Sequence, residues 1–179
     1  MPDFALEKWI RPSLEDAAAR LGKRGLSRFV LLAVGFVIGL AALPVIAAGR
    51  FWLGLALMLL SRAVAAIGRV NAGLREERLG GAFELIFLGS IPFAFALNEP
   101  RCALSASLLL FGLIAAGAAS VFANADRVLA RGDVAVCIAA YALSCLRPEW
   151  FALIAYFLSV FCFIAAGARI ALAFTRSDA

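Results

Sequence analysis

Six apolar segments, separated by short polar stretches, constrain this chain more than any other feature. They span 29–48, 51–70, 80–97, 102–123, 134–146 and 150–174. A helix needs about 20 consecutive apolar residues to cross the hydrocarbon core of a bilayer. Of the 179 residues 64% are hydrophobic and only 16% are charged, which is more apolar surface than a soluble domain of this size buries. We therefore predict an all-α, polytopic membrane protein with six transmembrane helices.

The first 28 residues differ from the rest. Apolar side chains recur at helical spacing from Phe4 to Leu21, charged side chains fill the other face, and Trp9 lies at the apolar edge. This pattern is typical of an amphipathic helix on the membrane surface, and a disordered basic tail is the alternative. A signal peptide is disfavoured, because the first apolar run starts late and further membrane segments follow it. The predicted organisation is an N-terminal juxtamembrane helix at 1–28, a transmembrane domain at 29–174 and a short cytoplasmic tail at 175–179.

The fifth apolar segment is the shortest, with 13 uninterrupted residues at 134–146. That length is well below what a helix needs to cross the hydrocarbon core. The fifth helix must therefore either recruit part of 128–133 or cross the membrane only partially.

The distribution of Lys and Arg predicts the orientation, since cytoplasmic loops carry the excess of these residues. Thirteen of them fall on the side of the N-terminus and three, Arg50, Arg101 and Arg147, fall on the opposite side. We expect both termini in the cytoplasm, and this topology accounts for the net charge of +5 without a nucleic-acid partner. The Ala-, Gly- and Arg-rich composition is typical of a bacterium with GC-rich DNA, so the expected location is the inner membrane.

Histidine is absent, which excludes His-ligated haem, zinc hydrolase chemistry and His-based catalytic triads. The four cysteines lie in or beside apolar segments and show no CxxC spacing. Metal binding by these four would need thiolates from three helices. We therefore expect free thiols that pack as small hydrophobic side chains, and no cofactor.

Arg62 and Arg69 interrupt the second apolar segment, and Glu84 interrupts the third. Charges in lipid are costly, so these side chains should face protein or water. Arg62 and Arg69 are seven residues apart and share one helix face. Because consecutive helices run antiparallel, we expect Glu84 within pairing distance of one of them. Two interpretations stay open, an ion pair that fixes helix packing and an anion pocket where arginines meet a phosphate.

The candidate headgroup or phosphate site consists of Arg62, Arg69, Arg75, Gly80, Gly81 and Glu84. Arg75 adds a third guanidinium in the loop that follows the second segment. The Gly80-Gly81 pair would let a backbone or a phosphate approach closely. No residue is assigned a catalytic or metal-binding role.

Two stretches, AAGRFWLGLALMLLSR at 47–62 and LGGAFELIFLGSIPFAFAL at 79–97, resemble the segments that flank the active site of CDP-alcohol phosphatidyltransferases. The resemblance extends to the layout, with a juxtamembrane helix, six spans and internal termini. It implies a scaffold that transfers a phosphatidyl group from a CDP-linked lipid such as CDP-diacylglycerol to a small alcohol. It also implies two Mg²⁺ or Mn²⁺ ions held by the aspartates of D-x-x-D-G-x-x-A-R and G-x-x-x-D-x-x-x-D, because several carboxylates must converge on the pyrophosphate.

The chain departs from that pattern at its chemical centre. With the second glycine placed on Gly80, Glu84 takes the third aspartate position and Leu88 the fourth, and the first two fall on Ala63 and Ala66. Shifting the first half by two residues gives Ala65 and Gly68 instead. No aspartate occurs between Asp16 and Asp126, so no register restores the metal site. The stretch that leads into the fifth segment, 127–133, is also shorter than the resemblance implies.

These observations favour a phosphatidyltransferase-like scaffold without catalysis, a pseudoenzyme that acts in phospholipid metabolism as a lipid-binding or partner subunit. Its expected partners are membrane lipids, including CDP-diacylglycerol or phospholipid headgroups. The resemblance implies a homodimer, and a heterodimer with an active relative is the alternative. Two further hypotheses stay open: an active transferase with a non-standard site around Glu84, which would need Mg²⁺ or Mn²⁺, and an unrelated small membrane or transporter subunit.

Overall fold

The computed structural model describes residues 27–70, 74–122 and 131–177. These residues form α-helices joined by short turns, and no strand occurs among them. The six helices are α1 (Arg28–Ala47), α2 (Phe51–Arg69), α3 (Leu74–Asn98), α4 (Ala103–Phe122), α5 (Arg131–Leu146) and α6 (Phe151–Ser177). The surface helix predicted for 1–28 lies outside the described residues except for 27 and 28. The all-α prediction is confirmed for the described part of the chain.

Five helices are long and apolar enough to cross a membrane, and α5 is shorter. With 16 residues, α5 measures about 24 Å at 1.5 Å per residue, against a hydrocarbon core of about 30 Å. It begins at Arg131, so it does recruit three residues from the stretch 128–133. The chain is a polytopic α-helical membrane protein, and its described residues contain five candidate spans and one shorter apolar helix; the sixth span stays a prediction.

Two predicted boundaries are wrong. The third helix begins at Leu74 and not at residue 80, because Glu76 and Glu77 in its first turn interact favourably with the positive end of the helix dipole. Most of the loop predicted up to residue 79 is therefore helical. At the other end, α6 continues to Ser177, three residues beyond the apolar segment 150–174, and the short tail at 175–179 stays a prediction.

The helices form two groups that meet between α3 and α4. In the first group α1 packs against α2 and α3, and in the second α4 packs against α6. The short α5 contacts α2, α3 and α6. Tyr141 of α5 is fully buried and donates a hydrogen bond to the Leu88 carbonyl of α3 at 2.8 Å. This bond fixes α5 against the first group in the middle of the bundle.

Small residues allow α1 and α2 to approach closely, as is common between membrane helices. Ser61 of α2 donates a hydrogen bond to the Gly35 carbonyl of α1 at 2.7 Å. A Cβ at Gly39 of α1 would lie 2.8 Å from the Ser61 hydroxyl of α2, closer than a real contact allows. The turn between the two helices contains Gly49 at φ +75°, a conformation that favours glycine. This close packing sets the position of the α2 face that carries Arg62.

The four cysteines are free thiols, as predicted. Cys137, Cys145 and Cys162 are buried in the hydrophobic core, whereas Cys102 is half-buried beside it.

Candidate functional site

Arg62, Arg69 and Glu84 come together between α2 and α3. Arg62 donates from Nη2 to Oε1 of Glu84. Arg69 places Nη2 2.9 Å from Oε2 of Glu84 and donates from Nη1 to Oε1 at 3.2 Å. The pairing expected from the sequence is therefore present, and a single carboxylate serves both guanidinium groups.

The local geometry follows from helix periodicity. Residues seven apart lie nearly above one another on a helix, so Arg62 and Arg69 project from the same face of α2. Because α2 and α3 are antiparallel, the first turns of α3 lie beside the last turns of α2, and Glu84 faces both arginines. This places the cluster toward the end of the bundle where α1, α3 and α5 begin, which we call the ionic end.

The three side chains differ in burial, and the difference gives them separate roles. Glu84 is 7% exposed, Arg62 is 17% exposed and Arg69 is 34% exposed. The guanidinium carbon of Arg62 lies 5.8 Å from the ring centre of Phe87, a cation–π contact that further holds this side chain in place. Arg69 is the last residue of α2 and faces the opening. With two guanidinium groups and one carboxylate, the cluster carries a net charge of +1.

Of the two glycines at the start of the third apolar segment, one contacts the cluster. The Gly80 carbonyl accepts a hydrogen bond from Nη2 of Arg69 at 3.2 Å, and a Cβ on Gly80 would lie 3.5 Å from Nε of the same arginine. Gly80 lines the space around the cluster, whereas Gly81 is not among its lining residues. Arg75 lies in the first turn of α3, and its side chain is outside the described part of the structure. Of the predicted site residues, the described structure brings together Arg62, Arg69, Glu84 and Gly80.

A narrow cleft opens beside this cluster. Aromatic side chains of α1 and α3 form its apolar wall, with Phe36 stacked on Phe83 at 4.7 Å between ring centres. We call this space the arginine cleft, lined by Arg62, Arg69, Glu84, Phe36, Phe83 and Phe87. Its cavity volume is about 10 Å³, which is room for about one water. Any larger group would have to displace a side chain.

The residues of the cleft do not fit a two-metal centre. Such a centre needs several carboxylates, and no group of three His, Cys, Asp or Glu comes together anywhere in 27–70, 74–122 and 131–177. Ala65, one of the residues at the motif aspartate positions, lines the cleft without a donor atom, and Leu88 is buried in the core. Glu84 is already engaged by two arginines. The side-chain donors present at this site are the guanidinium groups of Arg62 and Arg69.

A second, half-buried ion pair was not predicted from the sequence. Arg169 of α6 donates from Nη2 to Asp133 of α5. Its Nη1 also donates to the Ser120 hydroxyl at 3.0 Å and to the Ala116 carbonyl at 3.2 Å, both on α4. The cluster therefore ties α4, α5 and α6 together, also toward the ionic end. Arg169 lies inside the apolar segment 150–174, the same signal that singled out Arg62 and that could have marked Arg169.

Comparisons with known proteins give one informative result. The chain is 28% identical to the inner membrane protein YnjF of Escherichia coli (strain K12) over 195 aligned positions, which cover 95% of this chain and 94% of that protein. None of the protein-family models matches the chain. A search of the solved structures finds no match either.

Proposed function

We propose that this protein holds the phosphate group of a membrane lipid in the arginine cleft, on a phosphatidyltransferase-like scaffold that has lost its catalysis. It would act as a lipid-binding subunit in phospholipid metabolism, in the inner membrane and with both termini in the cytoplasm. The inner-membrane location is supported by the end-to-end similarity to a protein named for that membrane.

One observation carries the proposal: two guanidinium groups converge on a single carboxylate beside an opening. A buried pair that served packing alone would need one arginine for one acid. The second arginine leaves a net positive charge, and arginine recognises phosphate with the same two-pronged geometry that it uses for carboxylate. A phosphate group is therefore the ligand that best matches the charge and the donors of the cleft.

The depth of the cluster agrees with a lipid headgroup. Glu84 lies ten residues beyond Leu74, and Arg69 ends α2, so the cluster is within a few turns of the helix ends. Lipid phosphates lie at the boundary between the hydrocarbon core and water, and long arginine side chains reach that boundary from inside a helix.

The loss of catalysis is supported by the engagement of Glu84. It is the one acidic residue that the chain offers at the motif positions, and it would have to release both Arg62 and Arg69 to bind a metal ion. A protein of this kind would present a lipid to, or withhold it from, an active relative. The partner-subunit role thus remains part of the proposal.

The test compares lipids that differ only in phosphate. The full-length protein, in nanodiscs, is titrated with phosphatidate and with diacylglycerol of the same acyl chains, and bound lipid is counted by native mass spectrometry. Phosphatidate should be retained preferentially. Arg69→Gln should weaken its retention by about tenfold, the loss of one charge-assisted contact pair.

Arg101→Gln is the matched control, because Arg101 is 94% exposed at the opposite end of the bundle and touches Glu99 at 3.8 Å. It should leave phosphatidate retention unchanged. Equal retention of the two lipids by the unaltered protein, or equal losses in the two arginine variants, would contradict the proposal.

A further inference from the structure

We infer that Glu84 is a built-in competitor for the anion site: its carboxylate engages the Arg69 donors that a phosphate group would use, and an incoming phosphate takes Arg69 from it. This inference rests on the proposed function and adds the regulation of the same site. The ligand chemistry is a phosphate group, whether on a lipid or free in solution.

The contacts of Arg69 carry the first step. Its two terminal nitrogens meet the two oxygens of Glu84, Nη2 with Oε2 at 2.9 Å and Nη1 with Oε1 at 3.2 Å. This two-pronged arrangement is the one in which an arginine binds two oxygens of a phosphate. The carboxylate of Glu84 therefore uses the donors that a phosphate would use.

The space in the cleft carries the second step. Room for about one water does not admit a phosphate group beside the existing contacts. Binding must therefore move a side chain, and the burial of the three residues selects which one. Arg62 is held by Glu84 and by the Phe87 ring, whereas Arg69 ends its helix and is 34% exposed.

The site therefore has a closed and an open arrangement. In the closed arrangement Glu84 pairs with both arginines, and Arg69 also donates to the Gly80 carbonyl. In the open arrangement Glu84 keeps Arg62, so its buried charge stays compensated, and Arg69 turns outward with its free donors on the phosphate. The carboxylate sets a minimum affinity for the ligand, because only an anion that binds Arg69 well enough to compete with Glu84 can open the site.

The test measures phosphate affinity in the full-length protein with the carboxylate neutralised. Inorganic phosphate and nanodisc-embedded phosphatidate are titrated separately, at fixed ionic strength, into the unaltered protein and into Glu84→Gln. Removing the competing charge should tighten binding of the recognised probe by about tenfold or more. A gain for phosphatidate alone identifies the lipid as the source, and a gain for both identifies any accessible phosphate.

Glu99→Gln is the matched control, since it removes the same charge from an exposed acid at the opposite end. Glu84→Asp retains the charge and so protects the fold, but shortens the side chain by one methylene. It should bind with intermediate affinity. Binding to Glu84→Gln that equals or falls below that of the unaltered protein, while the unaltered protein still requires Arg69, would overturn the inference and leave the proposed function standing. No phosphate binding by any of these proteins would overturn both.

Discussion

The two arginines of the cluster should contribute differently to the stability of the protein, because only one of them can turn to water when Glu84 is removed. Leaving a buried charge without its partner costs about 3 to 5 kcal/mol, whereas replacing both members of a buried pair by apolar residues is often nearly neutral. Arg62 is 17% exposed and cannot turn to water without leaving the Phe87 ring. Arg69 faces the opening and can turn to water.

Four variants isolate the pair: Glu84→Leu, Arg62→Met, the double variant that combines them, and Arg69→Met, with Arg62→Met expected to cost more than Arg69→Met. Glu84→Leu strands Arg62 and should lower the free energy of unfolding by about 3 kcal/mol or more. Adding Arg62→Met to that variant should recover most of the loss, which corresponds to a coupling energy of about 2 to 3 kcal/mol between the two residues. Arg69→Met alone should cost at most about 1 kcal/mol, because Glu84 keeps Arg62 and the site remains partly hydrated.

The assay is reversible unfolding of the purified protein in bicelles, with the free energy obtained by steric trapping. A double variant as unstable as Glu84→Leu alone would refute the reasoning, since it would mean that the stranded Arg62 charge is not the source of the loss. Equal costs for Arg62→Met and Arg69→Met would refute the assignment of separate roles to the two arginines.

The remaining predictions concern packing, the second ion pair, catalysis and topology. Gly39→Ala should destabilise the protein by about 1 to 3 kcal/mol through the Phe87 ring; Gly167→Ala, with nothing within 4 Å of its Cβ, should be neutral or slightly stabilising in the same unfolding assay. Arg169→Gln should loosen α5 and speed the maleimide labelling of the buried Cys137, and an unchanged labelling rate would count against that role. The purified protein should release no CMP from CDP-diacylglycerol above background with Mg²⁺ or Mn²⁺, and metal-dependent release would favour the active-transferase hypothesis. A fluorescent protein fused to the C-terminus should mature in the cytoplasm, whereas an alkaline phosphatase fusion there should be inactive; the reverse pattern would contradict the predicted cytoplasmic C-terminus.

The helices were predictable because the bilayer imposes a length and a composition on every span. The Arg62–Glu84 contact was predictable for a related reason: a charge inside an apolar segment needs a partner, and antiparallel neighbours leave few choices. The Arg169–Asp133 pair was not predicted, because Asp133 lies before the fifth apolar segment and gave Arg169 no candidate partner inside a predicted helix. A helix that begins three residues before the apolar run changes that assignment.

Helix packing was not predictable from the chain. In a membrane the faces that meet lipid are as apolar as those that meet protein, so hydrophobic periodicity does not mark the interface. Phe111 and Phe157 face outward, whereas Phe87 and Phe151 are buried, and the local sequence does not distinguish them. The start of α3 depends on acidic residues in a polar stretch that looks like a loop. The pairing of α4 with α6 joins helices that are not consecutive in the chain.

The central claim is that a lipid phosphate contacts the guanidinium group of Arg69. Solid-state NMR on proteoliposomes containing phosphatidate measures this contact directly, through ¹⁵N–³¹P dipolar dephasing in protein labelled at its arginine side chains. We expect dephasing from an arginine nitrogen within about 4 Å of phosphorus. This dephasing should be lost in Arg69→Gln and kept in Arg101→Gln. Dephasing that is absent, or that survives Arg69→Gln unchanged, would contradict it.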